Sequence, residues 1–282
     1  LKSRIKDLAF ALKVPPNELK SLFDSIEEDD SRFYKQWNEV KKDKSGNPKI
    51  KGGVIQTRPI NAPVEKLKHV QSKILQLLST NFPLPDYFFG GVKGKDAVKN
   101  GRFHQGNKFF FQADFKGFYT SIHFSWVENA LRKRGFYPDV ARLITRICTT
   151  KGSIPQGCPT SSYLAAMVLE DRSSNIFQSY IGLGYKVTVY VDDITISSPV
   201  DFKDQTSKIL EGLREAGFQI SFDKCSYKTR NPEVTGVIVK NNGICATSNA
   251  YRSSRDKTKS EASRSGHKNR IAYIKKVSKK KD

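Results

Sequence analysis

The sequence predicts an α+β protein organised around a ferredoxin-like split βαβ unit, and three observations carry that expectation. Phe109-Phe110-Phe111-Gln112-Ala113-Asp114 reads as a buried strand that ends in an acid. Val187, Val189 and Val191 alternate on one face of a second strand, and Ile194 and Ile196 repeat the pattern in a third, which leaves Asp192 and Asp193 at the tip of a tight hairpin. Helical spacing fills the gaps, so the order from Phe109 to Phe222 is strand, helices, hairpin, helix, strand.

Taken in order, Leu1, Ile5, Leu8, Ala9 and Leu12 have helical spacing, Pro15-Pro16 stops that helix, and Asn17 is positioned to cap a second from Glu18 to Ile26. Phe33–Val40 and Ile50–Arg58 read as two strands around the turn Lys44-Ser45-Gly46-Asn47-Pro48. Pro63–Leu78 is a helix with Leu67, Val70, Ile74, Leu77 and Leu78 toward a core and Lys66, Lys68 and Lys73 elsewhere on it. A loop rich in Pro, Gly and aromatic residues covers residues 81–95. Helices are expected at Ser125–Gly135, Pro138–Thr149, Ser161–Ile181 and Asp201–Ala216, with strands at Phe218–Phe222 and Val237–Val239 and a last helix marked by Gly266, Ile271, Tyr273 and Ile274.

Composition bounds the partners. Lys and Arg number 49 against 28 Asp and Glu, a formal charge of +21 that favours a polyanion. The last 39 residues carry twelve basic and three acidic side chains, so +9 of the excess lies there. The final Lys275–Asp282 stretch also reads as a solvated or disordered tail. Cys148, Cys158, Cys225 and Cys245 are scattered with no C-x-x-C, as expected of free thiols in a reducing compartment. No apolar run reaches the length of a membrane span and no signal peptide opens the chain, so no membrane is expected among its partners. The chain opens on Leu1 and its one methionine is Met167, so a longer translated product is expected.

An isolated Asp-Asp turn is read as solvated, because Asp is common in turns. Asp114 changes that reading. Three carboxylates from neighbouring strand segments repel one another and call for a cation. With no Cys/His cluster, the oxygen donors suit Mg²⁺, and a pair of such ions roughly 3.5–4 Å apart serves in-line displacement at phosphorus.

These residues resemble a reverse transcriptase. Asp114-Phe115-Lys116-Gly117-Phe118-Tyr119 looks like the block with the first catalytic Asp, and Ile154-Pro155-Gln156-Gly157-Cys158-Pro159-Thr160-Ser161 like the nucleotide-binding P-Q-G-x-x-x-S block. Tyr190-Val191-Asp192-Asp193 and the run from Gly217-Phe218 to Lys224 complete four blocks in the family's order over about 110 residues. Two further strings are similar to elements of the retron branch: Asn100-Gly101-Arg102-Phe103-His104 to N-A-x-x-H, with Gly101 in place of Ala, and Val234-Thr235-Gly236 to V-T-G.

The resemblance implies a right-hand polymerase with fingers in 1–105, a ferredoxin-like palm in 106–243 and a short or incomplete basic thumb in 244–282. It implies two Mg²⁺ ions on Asp114, Asp192, Asp193 and the carbonyl of Phe115, with Lys224 beside the leaving pyrophosphate. It places Arg58, Tyr119, Gln156 and Gly157 at the incoming dNTP, Tyr119 rejecting a ribose 2′-hydroxyl; a surface Arg, a core Tyr and a plain strand-to-helix turn are the other readings. Asn100, His104, Val234, Thr235 and Gly236 are expected at the RNA, His104 being equally readable as a hydrogen-bonded structural residue. Tyr251-Arg252 and Tyr273-Ile274-Lys275-Lys276 fit stacking on bases or anchoring in a core.

The implied partners are a cognate structured non-coding RNA, its branched DNA product and an accessory effector, in the bacterial cytoplasm and in defence against phage. A group II intron-like or other defence-associated reverse transcriptase, and an RNA-binding scaffold without catalysis, are the alternatives.

Overall fold

The computed structural model describes residues 4–43 and 46–279. The chain forms two compact units, Leu1–Pro85 with Gly117–Arg172, and Asp86–Lys116 with Ser173–Asp282. These boundaries differ from 105/106 and 243/244, because the chain visits each unit twice.

In the first unit, α1 (Arg4–Leu12) and α2 (Pro16–Glu28) are followed by β1 (Tyr34–Val40), the short β2 (Ile50–Lys51) and β3 (Val54–Ile55), β4 (Thr57–Pro63) and α3 (Glu65–Asn81). Leu67, Val70, Gln71, Ile74 and Leu78 make one buried face of α3, against a core that includes Leu8, Leu12, Leu19, Leu22 and Ile26. Asn17 does not cap α2; Pro15 stands at the cap and Pro16 in the first turn, where its missing N–H costs nothing. The expected strand Ile50–Arg58 is also corrected. Gly52 and Gly53, both at positive φ, fold it back as the β2–β3 hairpin, and β1 pairs antiparallel with β4 from Tyr34–Pro63 to Val40–Thr57. Lys44 and Ser45 of the expected turn, and Leu1, lie outside the described residues.

The second unit opens with an irregular segment, then α4 (Ala97–Phe103) and β5 (Phe109–Asp114). The chain continues through α5 (Phe118–Ser121), α6 (Phe124–Lys133) and α7 (Pro138–Cys148) in the first unit, and α8 (Ser161–Gly182) ends in the second. There follow β6 (Lys186–Tyr190), β7 (Asp193–Ser198), α9 (Thr206–Glu215) and β8 (Ser226–Lys228). These strands form one antiparallel sheet in the order β6-β7-β5-β8, the split βαβ order. α9 packs on α8 through Gly212, where an added Cβ would lie 3.1 Å from the Ile176 side chain.

Two expectations shift here. Phe218–Phe222 is not a strand: only Ile220 bridges to Phe115, Phe222–Lys224 is a 3₁₀ turn, and β8 starts four residues later. The reason is that this stretch hydrogen-bonds past the end of β5, Lys116 N–H donating to Gln219 O (2.8 Å) and Ser221 N–H to Asp114 O (2.8 Å). Val191 likewise leaves the strand alternation and sits in the turn at φ 61°.

A second sheet, β9 (Glu233–Val234), β10 (Val237–Lys240) and β11 (Gly243–Ala246), lies in the order β11-β10-β9 and is followed by α10 (Ser248–Arg255) and α11 (Glu261–Lys279). Ile244, Ala246, Ala250, Ile271, Ile274 and Val277 share one buried cluster with Val98, Phe110, Val234, Val237 and Val239. The basic C-terminal region is thus built onto the same core as β5. Ile274 and the half-buried Tyr251 face that core, whereas Tyr273 is exposed.

Candidate metal centre

The register of the four-stranded sheet sets Asp114 directly opposite Asp193. Asp192 precedes Asp193 in the β6–β7 turn, and Phe115 N–H donates to Asp192 O (3.2 Å), tying the turn to the end of β5. One ligand oxygen from each of Asp114, Asp192 and Asp193 lies within 4.8 Å of the others, Asp114 being the buried member and Asp193 the exposed one.

Lys224 Nζ donates to both oxygens of Asp114 at 2.7 Å. Although Asp193 is exposed as a residue, its carboxyl is crowded against the other two acids: desolvation, then the charges of Asp192 and Asp114, push it up to about 7, with Lys224 only partly opposing them. Burial pulls the Lys224 ammonium down, but its hydrogen bond to Asp114 and the three carboxylates outweigh this and hold it above the usual lysine value. Negative charge therefore exceeds what one lysine offsets. An all-oxygen donor set with that excess fits hard divalent cations such as Mg²⁺.

The turn itself is strained. A β-branched residue at φ 61° is an outlier, and such conformations persist where surrounding structure enforces them, often at functional sites.

The expected nucleotide-binding residues all lie in the first unit. Arg58, on β4, donates to Glu39 of β1 at 2.6 Å. Tyr119 on α5 is 2.9 Å from the Ser162 hydroxyl. Gln156 O accepts from Asn61 N–H (2.8 Å), and Gly157 (φ 116°) comes so close to β4 that a Cβ would lie 3.1 Å from Ile60.

The strings expected at the RNA have a different place. His104 is fully buried, its Nδ1 2.7 Å from Ser197 Oγ and its Nε2 2.7 Å from Thr188 Oγ1. Burial, reinforced by the Lys186 charge, lowers its pKa to about 3, so the ring is neutral. Asn100 and Val234 are buried too, and Asn100 Nδ2 donates to Thr235 Oγ1 (3.2 Å), which donates to Ala97 O (2.7 Å). The two strings therefore bind each other. Buried side chains cannot touch a surface polyanion, so direct RNA contact by Asn100, His104 and Val234 gives way to a role inside the fold. Thr235 and Gly236 are half-buried at the same joint, where Arg270 donates to Thr235 O (3.3 Å).

Gly101 also has a reason. A Cβ there would lie 2.1 Å from Val237 Cγ2, so the valine after the V-T-G string fills the space that an alanine would need. One anchor of this joint escaped sequence reasoning. Asp96 caps α4 through the Val98 and Lys99 N–H groups and accepts from Tyr273 OH at 2.7 Å, although an acid before a helix is a readable cap signal.

A sheet of this order with carboxylates at the end of β5 and in the β6–β7 turn fits a right-hand polymerase fold. A family model described as reverse transcriptase (RNA-dependent DNA polymerase) matches residues 40–239, and the chain belongs to that family. Its curated relatives include the Retron Se72 reverse transcriptase of Salmonella heidelberg, 30% identical over 164 residues, covering 55% of this chain and 42% of the relative. The Retron Mx162 reverse transcriptase of Myxococcus xanthus is 26% identical over 267 residues, covering 82% and 52%. The Retron Ec73 reverse transcriptase of Escherichia coli is 27% identical over 228 residues, covering 73% and 68%.

These relatives are all retron reverse transcriptases, and the chain is similar to them. It spans about half the length of the first curated relatives it matches. A solved telomerase from Candida albicans, in complex with a fragment of telomeric RNA, superposes with a TM-score of 0.51 at 14% identity, over 84% of this chain and 52% of that one, a likeness of fold alone. Among the described residues no helix is long and apolar enough to cross a membrane.

Proposed function

We propose that this protein is the RNA-directed DNA polymerase of a retron, acting in the bacterial cytoplasm. It copies a cognate structured non-coding RNA into single-stranded DNA from dNTPs. The observation that carries the reading is the carboxylate trio of Asp114, Asp192 and Asp193 across paired strand ends, with Lys224 on Asp114, in a chain of the reverse transcriptase family. The first unit supplies most of the fingers, the β5–β8 sheet is the palm, and α10 and α11 begin the thumb.

Asp114, Asp192 and Asp193, with the Phe115 carbonyl, would hold two Mg²⁺ ions, whose bound charge offsets that of the triphosphate and makes the primer hydroxyl more acidic. Lys224, donating to both oxygens of Asp114, orients that carboxylate and is a cation available to the departing pyrophosphate. Arg58, released from Glu39, offers a planar guanidinium to phosphate oxygens. Tyr119, steadied by Ser162, closes the space a ribose 2′-hydroxyl needs, and Gln156-Gly157 lets the backbone approach the nucleotide. The same RNA serves as primer and template, the product is branched, and an accessory effector and phage defence complete the setting.

The test is primer extension on an RNA template with Mg²⁺. Asp192→Asn with Asp193→Asn abolishes incorporation while RNA binding survives. Undiminished extension by that double variant defeats the metal-site assignment. Sequencing the nucleic acid that co-purifies separates a branched, locus-encoded product from the group II intron-like alternative.

A further inference from the structure

We propose that Gly90 is a positioning residue for the metal-binding turn, a role that rests on the proposed polymerase function. The segment before α4 does not wander over the surface. Tyr87, Phe88 and Phe89 are all buried, and Tyr87 packs edge-on against Phe177 at 5.5 Å. The segment runs parallel to the outer edge of β6: Val189 N–H donates to Tyr87 O (2.8 Å) and Phe89 N–H to Val189 O (2.8 Å). The next residue, Gly90, abuts the turn that carries Asp192.

An added Cβ at Gly90 would lie 2.3 Å from Val191 N, 2.7 Å from Val191 Cγ2 and 2.9 Å from Tyr190 C. Two of those three atoms are backbone, so no rotamer change relieves the clash. Gly90 is not at positive φ, and its requirement is space rather than conformation. Three buried aromatics fix the Gly90 side of the contact, so the strained Val191 side must yield, and Asp192 is the next residue along. Gly184 makes the contrast: it is at φ 81°, and a Cβ there would meet nothing within 4 Å. The absent side chain at position 90 thus lets a packed segment hold Val191 in its positive-φ turn and Asp192 beside Asp114 and Asp193.

The experiment compares Gly90→Ala with Gly184→Ala in the full chain. Folding is followed by thermal melts, kcat and KM by dNTP incorporation on an RNA template, and metal affinity by Mn²⁺ titration of nucleic-acid-free protein by electron paramagnetic resonance. Gly90→Ala is expected to lower kcat about 100-fold and Mn²⁺ affinity about tenfold, with the KM for dNTP and RNA affinity within about twofold of wild type. Gly184→Ala keeps wild-type kcat and Mn²⁺ affinity. Adding Val191→Gly, which removes the Cγ2 contact and tolerates positive φ, restores about tenfold of the lost kcat.

Wild-type kcat and Mn²⁺ affinity in Gly90→Ala would overturn the proposal, and so would a parallel loss of RNA affinity with no rescue. If Gly90→Ala alone does not fold, Gly90→Ala/Val191→Gly is compared with Val191→Gly, where about a tenfold lower kcat is expected and equality overturns the proposal. Should wild type incorporate no dNTP, the polymerase reading falls by itself and Mn²⁺ affinity still decides the role of Gly90.

Discussion

The aspartate hairpin and the joint between α4 and β9–β10 are both built from short strings in one compact unit, and they put those strings to opposite uses. In the hairpin, strand pairing gathers charge at a sheet end, where one lysine leaves the excess uncompensated and Asp193 is pushed up to about 7. At the joint, the polar side chains of the two strings turn inward: Asn100 Nδ2 to Thr235, Thr235 to Ala97, His104 to Ser197 and Thr188. A family-typical string can therefore mark chemistry or packing, and what separates them is whether its polar atoms are spent on the fold. Substitutions that damage activity at one region and stability at the other test that division.

The largest effect is expected at the hairpin. Asp193→Asn should abolish dNTP incorporation yet leave the metal-free fold at least as stable, since it removes a charge the site disfavours. The pH dependence follows from the same carboxyl. Its folded value of about 7 lies above the ordinary 3.8, so the metal-free protein loses stability as pH rises from about 4 to about 7. Mn²⁺ binding should release a proton near pH 6, and its affinity should rise between about pH 6 and 8. Urea melts and Mn²⁺ titrations across that range check both, and a flat profile in wild type would show that the Asp193 carboxyl is not strained by its neighbours' charge.

His104 should behave in the reverse way. His104→Ala removes a buried ring and strands two hydroxyls, at a cost of about 3 kcal/mol in denaturant melts, while kcat per folded molecule stays near wild type. Its folded pKa of about 3 lies below the ordinary 6.5, so the folded ring stays neutral where the unfolded one takes up a proton. Stability is therefore complete above about pH 6.5 and falls on acidification toward about pH 3, at no more than about 1.4 kcal/mol per pH unit. His104→Gln should flatten that slope. A loss of RNA affinity in His104→Ala at unchanged stability would return this residue to the RNA.

What the sequence made legible was local. Strand alternation around Asp192 and the acid ending Phe109–Asp114 were enough to gather the trio, because a two-residue period and a tight turn leave few arrangements. The orientation of α4 was not legible. The string Asn100–His104 contains polar residues that read equally well as ligand contacts, and its hydrogen-bond partners lie 135 residues away at Thr235 and 93 away at Ser197. The β1–β4 register was lost for a different reason: two consecutive glycines at positive φ reversed the chain inside what reads as one strand. The contact of Tyr87–Gly90 with β6 left only a rule-breaking cluster of aromatics in an apparent loop, a signal that could have been read as burial.

Gly101→Ala restores the residue of the retron string but drives a Cβ into Val237 Cγ2, and overpacking of this kind costs about 1–3 kcal/mol. Val237→Ala in the same chain should recover part of that loss, measurable as a double-mutant cycle with coupling above about 0.5 kcal/mol. Additive effects would mean that α4 and β10 adjust independently, and the joint would not be the interlocked unit that the hydrogen bonds describe.

The smallest effect is expected where the joint meets water. Tyr273 OH donates to Asp96 Oδ2 at 2.7 Å, but the ring is exposed, so Tyr273→Phe should cost no more than about 1 kcal/mol. Asp96 would still cap α4 through Val98 and Lys99, which is why the loss stays small. Asp96→Ala removes both the cap and the link to α11 and should cost about 1 kcal/mol more. Hydrogen exchange at the Val98 and Lys99 amides separates the two contributions: Tyr273→Phe leaves those amides protected and Asp96→Ala exposes them. Equal deprotection in both variants would show that α11, rather than the cap, is what holds the start of α4, and that the C-terminal helix stabilises this region more than its exposed contact implies.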